Sequence, residues 1–320
     1  MLESILLPLI GGLVLFLYAL NYLSDSLTEV ASDKLRFYLD KFTRNLFTGI
    51  ISGTIITVLL DSSSAVIIMT IALVKSKALT FRQAIGIVMG ANIGTTISSQ
   101  IIALDVGKYS SVLMAVGFLL LMLGRKQIYK NIGRVILGFG LIFFGLYVVE
   151  ESVEPLKQNA GFTKWMLALE SPLKGVGIGA LVTLLIQSSS ATVGMVIALG
   201  AKKLLSIQAA IAIMLGAELG TCSDTLLASI GKSRQAIKTG LFHLIFNILS
   251  IILGLLLFDY FVQLVLTLSA GAPLERKIAN AHVLFNCLGV LLFIPFAPLL
   301  EKAIDKVIRE PKPMVVSNGG

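Results

Sequence analysis

The chain has 320 residues, of which 56% are hydrophobic and only 14% charged, with a mean hydropathy of +0.91. A soluble domain typically carries about 25% charged residues, so a water-soluble globular fold is excluded. The formal charge of +8 does not indicate a nucleic-acid partner, because the basic residues fall in short segments between apolar runs, where membrane topology accounts for them.

In chain order, apolar runs of membrane-spanning length cover 5–20, 112–123, 135–149, 241–258 and 283–300. Backbone groups in hydrocarbon must bond to one another, and these runs lack the alternation of barrel strands, so the fold class is all-α and polytopic. The first run is preceded by Glu3 instead of a basic segment, and no small-residue cleavage site follows it; it reads as a transmembrane helix, not a signal peptide. An amphipathic segment is expected next, over about 24–45. Cys222 and Cys287 both lie in apolar segments, which leaves no disulfide framework and no zinc spacing.

Residues 47–96 match residues 173–222 without a gap at an offset of 126, and 21 of the 50 pairs are identical. The shared features include Gly49/Gly175, Gly53/Gly179, Thr57/Thr183, Ser62-Ser63-Ser64-Ala65 against Ser188-Ser189-Ser190-Ala191, and Gly94-Thr95 against Gly220-Thr221. A weaker match at an offset of 128 links Gly12-Leu13 and Phe16 to Gly140-Leu141 and Phe144. The chain is a duplication, with halves at 1–124 and 125–305. The second half adds one helix near 279–300, and a tail at 306–320 is expected to be disordered.

Each serine triplet is flanked by arms of about 14 residues, roughly 21 Å of helix, whereas the hydrocarbon core is about 30 Å thick. Two short arms meeting at a polar tip predict re-entrant hairpins at about 46–78 and 173–203; a single tilted helix over 46–74 is the alternative. With hairpins, three crossings (about 80–104, 109–124 and 131–149) separate the triplets, so the repeats are inverted. Lys and Arg then divide 18 to 8 between the two sides, which puts the C-terminus in the cytoplasm and the N-terminus outside.

Inverted repeats with broken helices are a common plan for secondary transporters, with the site at the repeat interface. Each tip exposes the N-terminus of its second arm, at Ser62–Ala65 and Ser188–Ala191, where free N–H groups and the helix dipole attract an anion. The hydroxyls of Ser62, Ser63, Ser64, Ser188, Ser189 and Ser190 add neutral donors for a tetrahedral oxyanion. The paired stretches Gly90-Ala91-Asn92-Ile93-Gly94-Thr95-Thr96 and Gly216-Ala217-Glu218-Leu219-Gly220-Thr221-Cys222 suit a broken transmembrane helix whose carbonyls and side-chain oxygens hold a hard cation. Ordinary helix packing through Gly-x-x-x-Gly is the competing reading.

Asp61, Glu218 and Asp224 lie inside apolar segments, where an ionisable group marks function by default. They could ligate sodium, carry a coupling proton or form a structural pair. His243/Asn247 and His282/Asn286 repeat a His-x-x-Phe-Asn pattern that sets each pair on one helical face, as interhelical hydrogen bonds require. An intramembrane serine hydrolase would need one of these histidines as its base, and the chain is not read as an enzyme.

Gln187-Ser188-Ser189-Ser190, with Asp61-Ser62-Ser63-Ser64 departing only at its first residue, resembles the doubled Gln-Ser-Ser-Ser motif of the type II sodium/phosphate cotransporter family. Gly90-Ala91-Asn92-Ile93-Gly94-Thr95 is similar to that family's helix-break motif, and the likeness covers most of residues 5–300. The resemblance implies a multi-pass protein of the inner (plasma) membrane that moves inorganic phosphate with sodium as coupling ion and no other cofactor, by an elevator-like or rocking movement, in a homodimer. On the leading reading the six serines hold phosphate, and Gln187, Asn92, Thr95, Thr96, Thr221, Asp61, Glu218 and Asp224 hold sodium. Bacterial relatives often add a cytoplasmic PhoU-like domain, which is expected to be absent or removed from a chain that ends at Pro311–Gly320. Asp61 for Gln and Glu218 for Asn predict altered coupling, by an extra sodium ion or a proton. A transporter of another oxyanion or a phosphate exporter is the nearest alternative, and a channel or membrane scaffold the next.

Overall fold

The computed structural model of the chain describes the backbone of residues 2–104 and 106–308, and the side chains of all of these but 2–4 and 29–42. The tail at 309–320, part of the segment where disorder is expected, lies outside the described residues. Among the described residues every regular element is helical. Among the described residues six helical segments are long and apolar enough to cross a membrane, or seven if one bent pair is counted as a span, so the protein is a multi-pass membrane protein.

Helix α1 (Leu2–Phe42) runs for 41 residues, so the amphipathic segment expected at 24–45 is largely its continuation. No Gly or Pro between Asn21 and Phe42 stops it. Asn45 then caps α2 (Leu46–Leu60), with Thr48 closing a capping box. At Asp61 the backbone turns left-handed (φ 53°), Ser62 is extended, and α3 (Ser63–Lys75) begins. That break excludes the single helix over 46–74. A second left-handed residue, Lys77 (φ 64°), ends the arm ahead of α4 (Phe81–Ile102).

Helices α2 and α4 run parallel and nearly in backbone contact. A methyl group placed on Gly86, Gly90 or Gly94 would stand 2.6, 2.0 and 2.7 Å from the carbonyl oxygens of Leu46, Ile50 and Thr54. The register is pinned at both ends, where the Gln83 amide donates to the Thr43 carbonyl and the Ser98 hydroxyl to the Asp61 carboxylate. Because α2 and α4 point the same way, α3 must carry the chain back between them, and α2–α3 is a hairpin with its tip at Asp61–Ser62. The glycines at 90 and 94 are therefore a packing seam. The break expected in this helix does not occur, and α4 continues through Asn92, Thr95 and Thr96 to Ile102.

After α5 (Ser110–Leu123), whose 14 residues span about 21 Å and fall short of the crossing expected at 109–124, α6 (Gln127–Val153) returns antiparallel to it through Gly117 and Gly133. Gly12, Phe16 and Leu23 of α1 face Val148, Gly145 and Gly138 of α6, so these two repeat-related helices are antiparallel. A short α7 (Ala160–Ala168) meets α8 (Pro172–Ile186) at a 100° bend. Gln187 (φ 58°) and Ser188 then form a second turn before α9 (Ser189–Ala201), and Lys203 (φ 55°) ends that arm. Helix α10 (Ile207–Gly220) lies parallel to α8 in the same register, with a methyl on Gly216 or Gly220 falling 2.0 and 2.7 Å from the carbonyl oxygens of Val176 and Ala180.

Between α10 and α11 (Cys222–Ser229) only Thr221 intervenes, with φ −62° and ψ −24° still in the right-handed helical region, so this break is slight. Next come α12 (Arg234–Leu256) and α13 (Phe258–Leu268). In α13, Phe258, Phe261, Val262 and Val265 are buried at i, i+3, i+4 and i+7. Finally α14 (Leu274–Phe293) leads to α15 (Ala297–Val307), which buries Ile304 and is tied to the buried Lys238 of α12 by Asp305 at 2.7 Å.

Candidate substrate cavity between the two serine turns

The two turns are built alike. Ser62 Oγ accepts a hydrogen bond from the Ala65 amide at 3.2 Å, and Ser188 Oγ from the Ala191 amide at 3.1 Å, so each first serine is the N-cap of its second arm. A hydroxyl that accepts the capping bond still has its own proton to donate. Asp61 and Gln187 precede the caps in the left-handed conformation, which costs a non-glycine residue about 1–2 kcal/mol.

Both turns face one cavity of about 80 Å³, lined by Asp61, Ser62, Ser63, Ser64, Gln187, Ser188, Ser189 and Ser190 together with Leu20, Asn21 and Ser24 of α1. All six serines predicted to meet an anion are thus brought together, with the starts of α3 and α9 aimed at the same space. Ser24 Oγ also donates to the Leu60 carbonyl at 3.0 Å, fastening α1 to the first turn. The sequence reading missed Asn21 and Ser24. Their i, i+3 spacing on one face of an apolar helix was the available signal.

Two carboxylates border this cavity. Asp61 lines it and accepts the Ser98 hydroxyl through Oδ1. Asp224, at the position equivalent to Ser98 (98 plus the offset of 126), bonds Ser64 of the first turn and takes the Thr225 amide at 2.6 Å. Of the groups expected to hold sodium, only Asp61 and Gln187 line the cavity, and Asp224 reaches it through Ser64. Thr96 and Thr221 turn back on their own helices, to Ile93 O at 2.8 Å and Ala217 O at 3.1 Å, and Thr95 is buried. Asn92 is bonded to Asn247 at 2.6 Å.

Glu218 belongs to a separate buried network. Its Oε1 lies 2.7 Å from His282 Nε2 and accepts from Asn286 Nδ2 at 3.1 Å, while His282 Nδ1 meets Ser99 Oγ at 2.6 Å. On the other side His243 Nδ1 meets Thr225 Oγ1 at 2.8 Å, and Asn247 bridges Asn92 and the Glu218 carbonyl. The contacts pair off: Asn92–Asn247 answers Glu218–Asn286, and Ser99–His282 answers Thr225–His243. Helices α4 and α10–α11 are related at the offset of 126, and α12 and α14 at an offset of 39 (243 to 282, 247 to 286). Helix α14, read from sequence as an addition, carries the same motif as α12 and bonds the counterpart residues of the other half. Both His-x-x-Phe-Asn motifs make the interhelical bonds their spacing predicts.

The family described as Na+/Pi-cotransporter matches the chain twice, over residues 15–151 and 148–292. An uncharacterized protein of Bacillus subtilis, YqeW, is 28% identical over 305 residues, covering 95% of this chain and 98% of its own. The Escherichia coli K12 protein named "Putative inorganic phosphate export protein YjbB" is 26% identical over 309 residues, covering 95% of this chain and 56% of its own, so the chain spans about half the length of that relative. Human "Sodium-dependent phosphate transport protein 2B" is 32% identical over 135 residues, 39% of this chain and 20% of its own. No solved structure matches. A chain that carries the family's pattern once in each half, with the two serine turns meeting at one cavity, belongs to the Na+/Pi-cotransporter family, a family of transporters and not of enzymes.

Proposed function

We propose that the chain is a secondary transporter of inorganic phosphate driven by sodium, working by alternating access. The observation that carries this reading is the convergence of two serine triplets and two helix N-termini on one cavity of about 80 Å³, which offers an oxyanion many neutral donors. Support comes also from the family and from relatives named for phosphate transport and export.

The architecture proposed is two inverted repeats, each with a re-entrant hairpin. In its favour are the antiparallel run of α1 against α6 and the return of α3 between two parallel helices. The arms α2 and α8, 15 residues each, reach only about 22 Å. The division of 18 basic residues against 8 favours a cytoplasmic C-terminus in the inner (plasma) membrane. Gln187 and Asp224 are the groups proposed to hold sodium.

An exporter on the same scaffold is the second reading, favoured by the name of YjbB, which matches 95% of this chain. Radiolabelled phosphate flux in proteoliposomes, with sodium gradients of either direction and at two pH values, tests both. Concentrative uptake that requires inward sodium is expected; no phosphate flux under any gradient, in folded protein, overturns the function.

A further inference from the structure

A second pocket, of about 180 Å³, opens between α12, α13 and α14 and shares no lining residue with the cavity at the serine turns. Its walls are apolar, with Leu253 from α12, Phe261 from α13, and Phe285 and Leu288 from α14. Leu257, Leu264 and Leu292 at its edge are exposed, and exposed leucines on a membrane span face lipid. One polar group is sealed into the wall. Ser250 is 5% exposed, and its Oγ has no hydrogen-bond partner among the described residues. A helical serine can satisfy its hydroxyl on the carbonyl four residues back, as Ser26 and Ser152 do here, but Ser250 does not. A buried donor left unpaired is costly. Water does not relieve it, because a buried water needs two to four polar partners and the other hydroxyl on the lining, that of Tyr260, belongs to an exposed side chain. Gly289 stands where Ser250 does in the repeated motif, at the offset of 39, and a methyl there would lie 3.5 Å from Ser250 Oγ. The missing side chain at 289 keeps open the space beside the hydroxyl.

The depth of Ser250 identifies what could accept its proton. In α13, Asp259, Gln263 and Thr267 form an exposed polar stripe, and Tyr260, Leu264 and Leu268 an exposed apolar one. A helix with this division lies at the membrane surface, with tyrosine at headgroup level. Ser250 precedes the end of α12 at Leu256 by six residues, about 9 Å along the axis. The interfacial layer on each side of a bilayer is about 5–8 Å thick, so the hydroxyl lies just inside the hydrocarbon boundary. The acceptors found at that boundary are the ester carbonyls of phospholipids, each joined directly to an acyl chain. An apolar side chain from a second copy would fill the same space and leave Ser250 unpaired.

We propose that this pocket is a binding site for one acyl chain of a membrane phospholipid, the chain lying among Leu253, Phe285 and Leu288 and its ester carbonyl accepting the Ser250 hydroxyl. The site is independent of what the serine turns bind. It places a lipid against α12 and α14, the two helices whose histidines and asparagines reach the buried network of Glu218.

The test is photolabelling of the full chain in vesicles that hold a trace of diacyl phosphatidylglycerol with a diazirine in one acyl chain. The host lipid is either diacyl phosphatidylglycerol or its dialkyl analogue, which has ether links and no carbonyls. In wild type, peptides carrying Leu253 and Leu288 should be labelled about fivefold more strongly in the ether host, the worth of one neutral hydrogen bond. The exposed Leu7 and Val14 of α1 meet only passing lipid, so their labelling should be the same in both hosts and gives the baseline. Ser250→Ala should remove the difference between hosts at the pocket. Gly289→Val, whose side chain enters the space beside Ser250, should cut pocket labelling to the α1 baseline. Size-exclusion chromatography verifies that each variant is folded. Equal pocket labelling in the two hosts overturns the proposal in wild type alone. So does a host preference that survives in folded Ser250→Ala. Pocket labelling no stronger than that of α1 in both hosts overturns it too, and leaves this face to a second copy of the chain.

Discussion

His282 Nε2 lies 2.7 Å from Glu218 Oε1, with 0% of the histidine side chain and 4% of the glutamate side chain exposed. The pair links α14 to α10, and Ser99 carries the link on to α4. Removing one member of such a pair leaves the other buried without its main partner, at a cost of about 3–5 kcal/mol. His282→Ala is expected to lose about 3 kcal/mol, read as a clear fall in thermal unfolding temperature in detergent. Glu218→Gln, which keeps an oxygen for both donors, is expected to lose less than about 1.5 kcal/mol. Equal losses would show that charge, not hydrogen bonding, holds the pair.

The glycine seams make a second, sharper comparison. A methyl on Gly53 or Gly179 would stand 2.3 and 2.0 Å from the carbonyl oxygens of Ile87 and Ile213, whereas one on Gly11 or Gly177 meets nothing within 4 Å. Gly53→Ala and Gly179→Ala should each destabilise by about 3 kcal/mol or abolish folding. Gly11→Ala and Gly177→Ala should be neutral or slightly stabilising by their better helix propensity. Folded-protein yield by size-exclusion chromatography checks all four.

A third expectation concerns an orphan. Thr183 Oγ1 donates to Thr192 Oγ1 at 2.7 Å in the second hairpin, but the equivalent Thr57 Oγ1 is buried with no partner, because Val66 stands where Thr192 would be. Val66→Thr should supply the missing bond and raise stability by about 1 kcal/mol. An unchanged or lower unfolding temperature would mean that the two hairpins pack differently around this position.

Capping and binding should separate along each serine triplet. Ser62→Ala and Ser188→Ala remove N-caps and should cost about 1 kcal/mol of stability each. Ser63→Ala and Ser189→Ala leave the caps in place and should weaken phosphate binding about tenfold or more, as loss of one hydrogen bond to a charged ligand does, with unchanged unfolding temperature. Wild-type affinity in both would remove these serines from the phosphate site.

Much of this was legible in the sequence for a definite reason. Ser62 and Ser188 repeat in register because a helix must restart there, and each caps the arm that follows it. His243, Asn247, His282 and Asn286 declared their pairing by helical spacing. What misled was Gly90 and Gly94, since Gly-x-x-x-Gly marks a broken helix and a tight helix contact equally, and only the nearness of the Ile50 and Thr54 carbonyls decides for contact. The Gly-Ala-x-x-Gly-Thr stretches group Glu218, Asn92 and the threonines as cation ligands, although most of these oxygens serve their own helices or the α12–α14 network. The His-x-x-Phe-Asn motifs of α12 and α14 recur at an offset of 39, apart from the offset of 126 that relates the serine turns, so the duplication alone does not pair these helices.

The left-handed residues carry one last consequence. Among the described residues, all four non-glycine positions with positive φ fall into two pairs at the offset of 126, Asp61 with Gln187 and Lys77 with Lys203. Each hairpin's returning arm is therefore bracketed by the same two corners, whatever side chains they bear. Backbone and chemistry have come apart: the corner template is held in common, and the residue at its apex is free to differ. Exchanging Asp61 and Gln187 would leave both corners intact and move the apical carboxylate from one tip to the other across the shared cavity. Two corners of one shape thereby present unlike chemistry to one cavity, a carboxylate from one tip and an amide from the other.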